Sequence, residues 1–567
     1  MGNINQSHFI GVAKGRLTHD NAQSDPPDNE FYNTSSPQIT SRSSGTGLAE
    51  YSGTFGQAQL THLLSRALFG VTPADVAFFN GMTLDQVVAV LLTPAATPAP
   101  PLNTYSTTDA NVPFGETWVE APLGTDGTIT SERRYSLKEW WIGLMINQDR
   151  SITEKMTLFW HNSFATQTTV IQDPRYCYKH VAMLRANALG NYKSLTRLVT
   201  TDPGMLVYLN GNTNTKSAPN ENYGREMQEL FTVGKGPNSL YTQGDVEAAA
   251  KVLTGWKDDS TTISYKFTLS NHDTSDKQFS AFYNNTVITG QSTLAGAQSE
   301  TDQLIDMIFQ QPETAKFLSR KLYRWFLYYD ITQDIEDNVI SPLAEILIEN
   351  NFEMIPVLSA LLKSEHFFDS TNMGCLIKNP VDHIVGICRQ FSIPFPDSSN
   401  LANQYKAWGI IDSLLVTLAM DPGDPPNVAG WPAYYQEPQF HELWINSDTL
   451  PARSEYSDAM GSLTGIKNSG IVLQIDFIAF ALQLSDPSDP NQLIADSTAL
   501  LSANDLSSQT AFLKGILLSG QTADYYWTDA WNLYLSDTSN TTNENTVLTR
   551  LRQMYSYIME LAEYQLV

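Results

Sequence analysis

Charge is in short supply in this sequence. Asp, Glu, Lys and Arg make up 17% of the residues, against about 25% in an average soluble protein. What charge there is leans one way, with 34 basic residues against 60 acidic ones and a formal net charge of −26. With no basic cluster to offset that balance, nucleic acid and anionic membranes are excluded as general partners. Cysteine is equally sparse: Cys177, Cys375 and Cys388 are too few for a disulfide framework and lack zinc-site spacing. They read as buried thiols, with one disulfide as the alternative. No apolar run approaches the roughly 18 residues a transmembrane helix needs. The opening residues contain no basic region followed by an apolar core, and Gln6 stands where a myristoylation signal has Ser or Thr. The sequence as written therefore shows no secretory signal. Motifs are missing as well: there is no G-x-S-x-G elbow, no Gly-rich phosphate loop, no H-E-x-x-H and no C-x-x-C-H. A Ser–His–Asp triad stays open, because triads assemble in space.

Uncharged polarity is abundant. Asn, Ser, Thr and Gln carry much of the hydrophilic surface, a composition more common in exported proteins than in cytosolic ones. The expected location is therefore the periplasm, the cell surface or the medium. At 567 residues the chain can bury a large core. Residues 1–55, rich in Ser, Thr, Asn, Pro and Gly, predict a disordered or surface-wrapping arm. Residues 94–130 predict a long Pro/Thr/Gly loop, functional or linking.

Helical periodicity dominates the remainder. It is clear over 56–69, 314–328, 353–363 and 546–566, and Thr72-Pro73 opens a further helix. Ser151 and Glu154 have capping-box spacing ahead of MTLFWHNSF. Strand-like alternation is confined to 262–290, where ISYKFTL and NTVITG flank a polar turn. The expected fold is mainly α: a compact, bundle-like set of helices with a small β-hairpin and long surface loops. A helical half over 56–300 would carry the polar hub and the hairpin, with a second helical half over 301–567 packed on it.

A series of ordered blocks runs from Leu60 onward. They are HLLSRALFGVTPADV (62–76), EKMTLFWHNSFAT (154–166), LRANALGNYKSL (184–195), DPGMLVYLNGNTN (202–214) and NENYGREMQELFTVG (220–234). YTQGDVEAAAKVLTGW (241–256), HDTSDKQF (272–279), TAKFLSRKLYRWF (314–326), IKNPVDHIVGICRQ (377–390) and PPNVAGWPAYYQ…WINSDTLPAR (425–453) follow. Over roughly 60–455 the chain resembles the family called domain of unknown function 1800, uncharacterised bacterial proteins that are often exported. Two positions depart from the family pattern. Ser163 follows Asn162 where relatives often have a second His, and Ser275-Asp276 replace a small, Gly-containing turn. The resemblance implies a fold family and no activity.

The densest polar cluster is NENYGREMQELFTVGKG. Asn220 or Asn222 is placed to cap a helix in which Asn222, Glu226 and Glu229 share a face and Glu221 pairs with Arg225. Gly234 and Gly236 end that helix, and Thr242 with Asp245 starts a second one that closes at Gly255. The unit predicted is a helical hairpin with a polar inner seam. Glu226 and Glu229 are the candidate acid/base or metal-binding pair, with His161 and Arg225 positioning them. Asn220, Asn222, Trp256, Trp431 and Trp444 are candidate substrate contacts, the tryptophans as platforms for sugar rings. His272 and Asp273 begin an oxygen-rich loop suited to a divalent cation such as calcium, although it lacks the Gly and terminal Glu of a calcium loop. Each group also has a bland reading: a buried salt-bridge hub, a satisfied core histidine, a hairpin brace, core aromatics.

Two functions follow. One is an exported hydrolase acting on an extracellular glycan or polymer, with a divalent cation as possible cofactor. The alternative is a non-catalytic binding or assembly protein of the cell surface, with an envelope protein as partner. Exposure discriminates between them: an open cleft around Glu226, Glu229 and His161 favours the enzyme, and sealed, fully paired residues favour assembly.

Overall fold

Small polar residues decide where the helices begin. Thr72, Thr83, Asp126, Asp202, Thr242 and Asn379 each accept a hydrogen bond from a first-turn N–H that the helix itself leaves free. In the computed structural model, which describes residues 43–45, 47–124 and 126–567, the helices they start make up a mainly α fold. The elements that matter below are α1 (Gln57–Ala67), α2 (Gly127–Ile146), α3 (Thr153–Ser163), α4 (Pro203–Tyr208), α5 (Asn222–Glu226) and α6 (Gln243–Val252). They are followed by α7 (Leu294–Phe309), α8 (Pro312–Phe326), α9 (Pro380–Gln390) and α10 (Leu401–Thr417).

Two helices cross closely because glycines let them. A Cβ on Gly143 of α2 would meet the Trp408 ring at 2.7 Å, and one on Gly409 of α10 would meet Glu139 Oε1 at 2.7 Å. A larger residue at Gly143 would push α2 and α10 apart, whereas one at Gly409 would displace the Glu139 carboxyl. One continuous apolar core, including the fully enclosed rings of Trp118, Trp141, Trp160 and Trp431, runs through the unit Ser43–Val567.

The β-structure is small. Among the described residues the strands form three two-stranded antiparallel sheets. The hairpin expected over 262–290 is present with different partners. ISYKFTL supplies β2 (Ser264–Phe267), which pairs back with β1 (Trp256–Asp259), and NTVITG supplies β4 (Val287–Ile288), which pairs with β3 (Lys277–Gln278). Gly255 explains the first pairing: its φ of +96° turns the chain out of α6 and its carbonyl accepts from Thr268 N–H at 2.8 Å. A third pair, β5 (Ile466–Asn468) with β6 (Ile471–Leu473), turns through Ser469-Gly470, both at positive φ.

Two local expectations are corrected. Ser151 and Glu154 do not form a capping box: Ser151 Oγ accepts from Thr153 N–H at 3.3 Å while its hydroxyl donates to Thr93 O at 2.6 Å, and Glu154 turns to Arg185 at 2.7 Å. The 94–130 loop is shorter than expected, since α2 already starts at Gly127. Its turns are pinned from within, by Asn103 donating to Val112 O at 2.8 Å and by Arg133 pairing with Asp109 at 3.0 Å. Most of the arm expected over 1–55 lies outside the described residues. Its described end is tied down, with Ser44 N–H donating to Asp334 at 2.6 Å and Tyr51 N–H to Lys363 O at 2.8 Å.

Candidate functional site

The glutamate hairpin forms, but its inner seam is made of small residues. Gly224 faces α6 so closely that a Cβ there would meet Ala250 N at 3.2 Å and Ala249 Cβ at 3.4 Å. The polar groups are displaced to the rim. Arg225 bridges Glu221 at 2.8 Å and Gln243 at 2.9 Å, which ties the two helices together from outside. The expected Thr242–Asp245 capping box is present, and Asp245 also accepts from Ser280 N–H at 2.7 Å. Asn220 holds the turn before α5 by accepting from Asn222 N–H at 2.9 Å, while the Asn222 side chain is exposed.

Past Glu226 the helix widens into a π-helical turn over Met227–Thr232. Such turns are rare and often accompany functional sites. Gln228, buried beneath it, donates to Gly224 O at 2.9 Å and accepts from Tyr283 OH at 2.9 Å. Glu226 and Glu229 remain on the half-buried rim. Their surroundings differ. Glu229 is paired with Lys235 at 2.7 Å. Glu226 is raised above the usual carboxylate range, first by burial and then by the Glu229 charge. Two tyrosines stand close by. Burial and the charges of Asp424 and Glu226 push Tyr208, at the end of α4, up to about 12. Tyr241 is also pushed up to about 12, by burial and then Glu229.

His161 is placed elsewhere, as a clasp. It is 1% exposed in α3, and its Nε2 accepts from Gly423 N–H at 3.2 Å. The neighbouring rings of Trp141 and Trp431 lie at 5.1 and 5.8 Å. Burial lowers its pKa to about 3, helped by His180 and Lys138 and opposed by Asp424, so the ring is neutral. Asn162 completes the clasp by accepting from Trp431 N–H at 2.9 Å, and Gly430 lies so close to that amide that a side chain there would overlap it. Together these residues hold the 421–431 loop, which brings Asp424 to Lys138 at 2.8 Å and to Thr168 at 2.5 Å. Lys138, Asn162 and Asp424 were not anticipated from sequence. The short D-P-G-D-P-P run was the available sign of a tight, specific loop.

His272 and Asp273 belong to a third group, at α7. His272 is fully buried, with Nδ1 2.9 Å from Thr254 O and Nε2 3.1 Å from Glu300. Lys277 donates to the other Glu300 oxygen at 2.5 Å and to Asp273 O at 2.5 Å. Both ring nitrogens of His272 are thus engaged. Among the described residues, no group of three or more His, Cys, Asp or Glu side chains is arranged to hold a metal ion. Trp256 donates to Thr301 at 3.1 Å on the same helix and is 1% exposed. Trp444 lies apart from these groups, 5.8 Å from Tyr434, whose ring in turn lies 4.7 Å from Trp325.

The structure therefore brings Arg225, Glu226 and Glu229 together on one rim. His161 joins Trp431, and Trp256 joins His272 and Asp273. Among the described residues no helix is long and apolar enough to cross a membrane. Comparison with curated proteins gives no match, and comparison with solved structures gives none. A family described as protein of unknown function (DUF1800) matches residues 62–566, nearly the whole chain, and the protein belongs to that family.

Proposed function

We propose that the protein is a hydrolase of an extracellular glycan or related polymer, with Glu226 as general acid and Glu229 as base. One observation carries this reading: two carboxylates about one turn apart, Glu226 at the end of α5 and Glu229 in the π-helical turn that follows, sit in different environments. Glu226 is pushed toward its protonated form, and Glu229 is held in an ion pair with Lys235. Unlike surroundings for two neighbouring carboxylates are how one site divides acid and base roles. In the proposed step Glu226 gives its proton to the leaving oxygen as the glycosidic bond breaks. A water deprotonated by Glu229 adds to the sugar carbon. Tyr208 and Tyr241 supply hydroxyls beside the pair for a polyol substrate.

The test is the release of reducing ends from a panel of soluble polysaccharides, with wild type, Glu226→Gln and Glu229→Gln at matched melting temperature. Loss of roughly 10²–10⁴-fold in Glu226→Gln is expected for a general acid. A folded Glu226→Gln variant as active as wild type would overturn the assignment.

A non-catalytic assembly role is the second reading. It is favoured by the sealing of His161, Trp256 and Trp431, each 1% exposed, which leaves them no surface to offer a substrate. In that case the double variant Glu226→Gln/Glu229→Gln changes partner capture and no hydrolysis is found in wild type.

A further inference from the structure

Two carboxyls meet where α2 crosses α10. Glu139 presents its carboxyl to the bare Cα of Gly409. Asp412 lies about one turn further along α10 and shares the Gly409 face. Its Oδ1 is buried and accepts no hydrogen bond among the described residues. Lys138, beside Glu139 in sequence, is engaged by the neighbouring loop instead: its Nζ lies 2.5 Å from Asp421 and 2.8 Å from Asp424. Asp412 feels the Lys138 charge without pairing with it. One buried ammonium thus has three carboxyls around it, two on the 421–431 loop and one on α10. The loop itself hangs on a few backbone groups. Gly423 N–H donates to His161 at 3.2 Å, Gly423 O accepts from Thr168 N–H at 2.9 Å, and Trp431 N–H donates to Asn162 at 2.9 Å.

The charged and titratable groups around this crossing come from several elements. Glu139 faces Glu132 on its own helix and Asp412, Lys406 and Tyr405 on α10. Asp412 faces Lys138, Asp421 and Asp424. Asp424 faces the hydroxyls of Thr168 and Thr169, and its charge reaches His161, Cys177 and Tyr208. Most of these keep one charge state between pH 5.5 and 8.5. His161 is already neutral, burial holds Cys177 as a thiol, and burial pushes Tyr208 and Tyr405 up to about 12. Against the effect of burial, Asp421 and Asp424 keep Lys138 protonated, and Lys138 keeps Asp424 ionised. Burial raises Asp421, against the pull of Lys138, and Glu132. Glu139 and Asp412, raised to about 8 and about 7, are the groups that lose their protons across this range.

We propose that the α2–α10 crossing is a pH-sensitive latch on the 421–431 loop. While Asp412 and Glu139 keep their protons, Lys138 is left to Asp421 and Asp424 and the loop stays closed. When they release those protons to solvent, Asp412 competes for the same ammonium and is repelled by Glu139. Opening the loop then lets water reach the two carboxylates and relieves both strains. The closed loop is therefore the form of acidic and neutral solution, and the open loop gains as pH rises. The latch holds whether or not the glutamate hairpin hydrolyses anything.

Hydrogen exchange of the full chain tests this, read by mass spectrometry on peptides covering 421–431 at pH 5.5, 7 and 8.5 and corrected for the intrinsic rate. Protection of the loop amides should fall at least about tenfold from pH 5.5 to 8.5. Because the opening is local, loop protection should lie below that of the buried helix Met354–Leu362 at every pH and be insensitive to sub-denaturing urea. Asp412→Asn cannot ionise and should remove most of the fall. Glu139→Gln should remove part of it, and carries the test if Asp412→Asn does not fold. Loop protection independent of pH in wild type would overturn the latch. So would a loop that shares the protection and urea sensitivity of Met354–Leu362, since it then opens only by global unfolding. A folded Asp412→Asn or Glu139→Gln variant that keeps the full wild-type dependence overturns it as well.

Discussion

Replacing Glu139 with Gln is expected to flatten the dependence of stability on pH. Glu139 lies on α2 where it meets α10, its carboxyl against the bare Cα of Gly409. Burial, then the neighbouring charges of Asp412 and Glu132, raise its pKa from 4.5 to about 8, with Lys406 opposing. Asp412 is raised from 3.8 to about 7, chiefly by burial and against the pull of Lys138. A carboxyl whose folded pKa lies above its unfolded value keeps its proton in the folded state while the unfolded chain ionises. Unfolding is therefore favoured progressively as pH rises from about 4.5 to about 8. At about 1.4 kcal/mol per pH unit the loss assignable to Glu139 is at most about 5 kcal/mol, and water reaching the partly exposed group reduces it to about 2–4 kcal/mol. Glu139→Gln cannot ionise and so removes this part of the slope, leaving that of Asp412. Urea unfolding followed by tryptophan fluorescence at pH 5, 6.5, 8 and 8.5 reads it directly. Near pH 5 the two proteins should differ little, and at pH 8.5 the variant should be the more stable. Parallel losses of stability in both would refute the reasoning.

Other perturbations have defined outcomes. Gly430→Ala combines a positive φ with overlap on the Asn162 amide and should destabilise by roughly 2–4 kcal/mol, read as a lower urea midpoint; an unchanged midpoint would mean the 421–431 loop is free to move. Lys277→Met leaves Glu300 buried without its cation and should cost about 3–5 kcal/mol, whereas a variant as stable as wild type would show the pair to be dispensable. The His161 ring, held neutral with a pKa of about 3, should give imidazole resonances that do not move between pH 5 and 8; a titration midpoint near 6.5 would show that water reaches it. With Glu229 engaged by Lys235, chelator treatment should leave the melting temperature unchanged, and a drop of several degrees restored by a divalent ion would replace the acid/base reading with a metal site.

Periodic elements were legible because their signals are local. Apolar spacing located α1, α8 and Met354–Leu362, and Thr72, Thr242 and Asp245 marked caps that the structure contains. The Ser151–Glu154 box misled, because the same spacing also suits residues whose partners come from elsewhere, here Thr93 and Arg185. The inner seam of the hairpin misled for a related reason. Gly224 and Ala249 pack directly, which forces the charged groups to the rim, and helical spacing alone cannot tell seam from rim.

By itself the sequence determined the mainly α architecture, the family and the glutamate hairpin, since periodicity, caps and ordered motifs are written within a few residues of one another. Only the tertiary structure decided which polar residues meet. It turned His161 to the backbone of Gly423 and His272 to Glu300. It brought Arg66, Lys155, Arg324 and Asp382, spread over more than half of the chain, into one cleft. Those meetings are set by how helices far apart in sequence pack, and no local pattern records them.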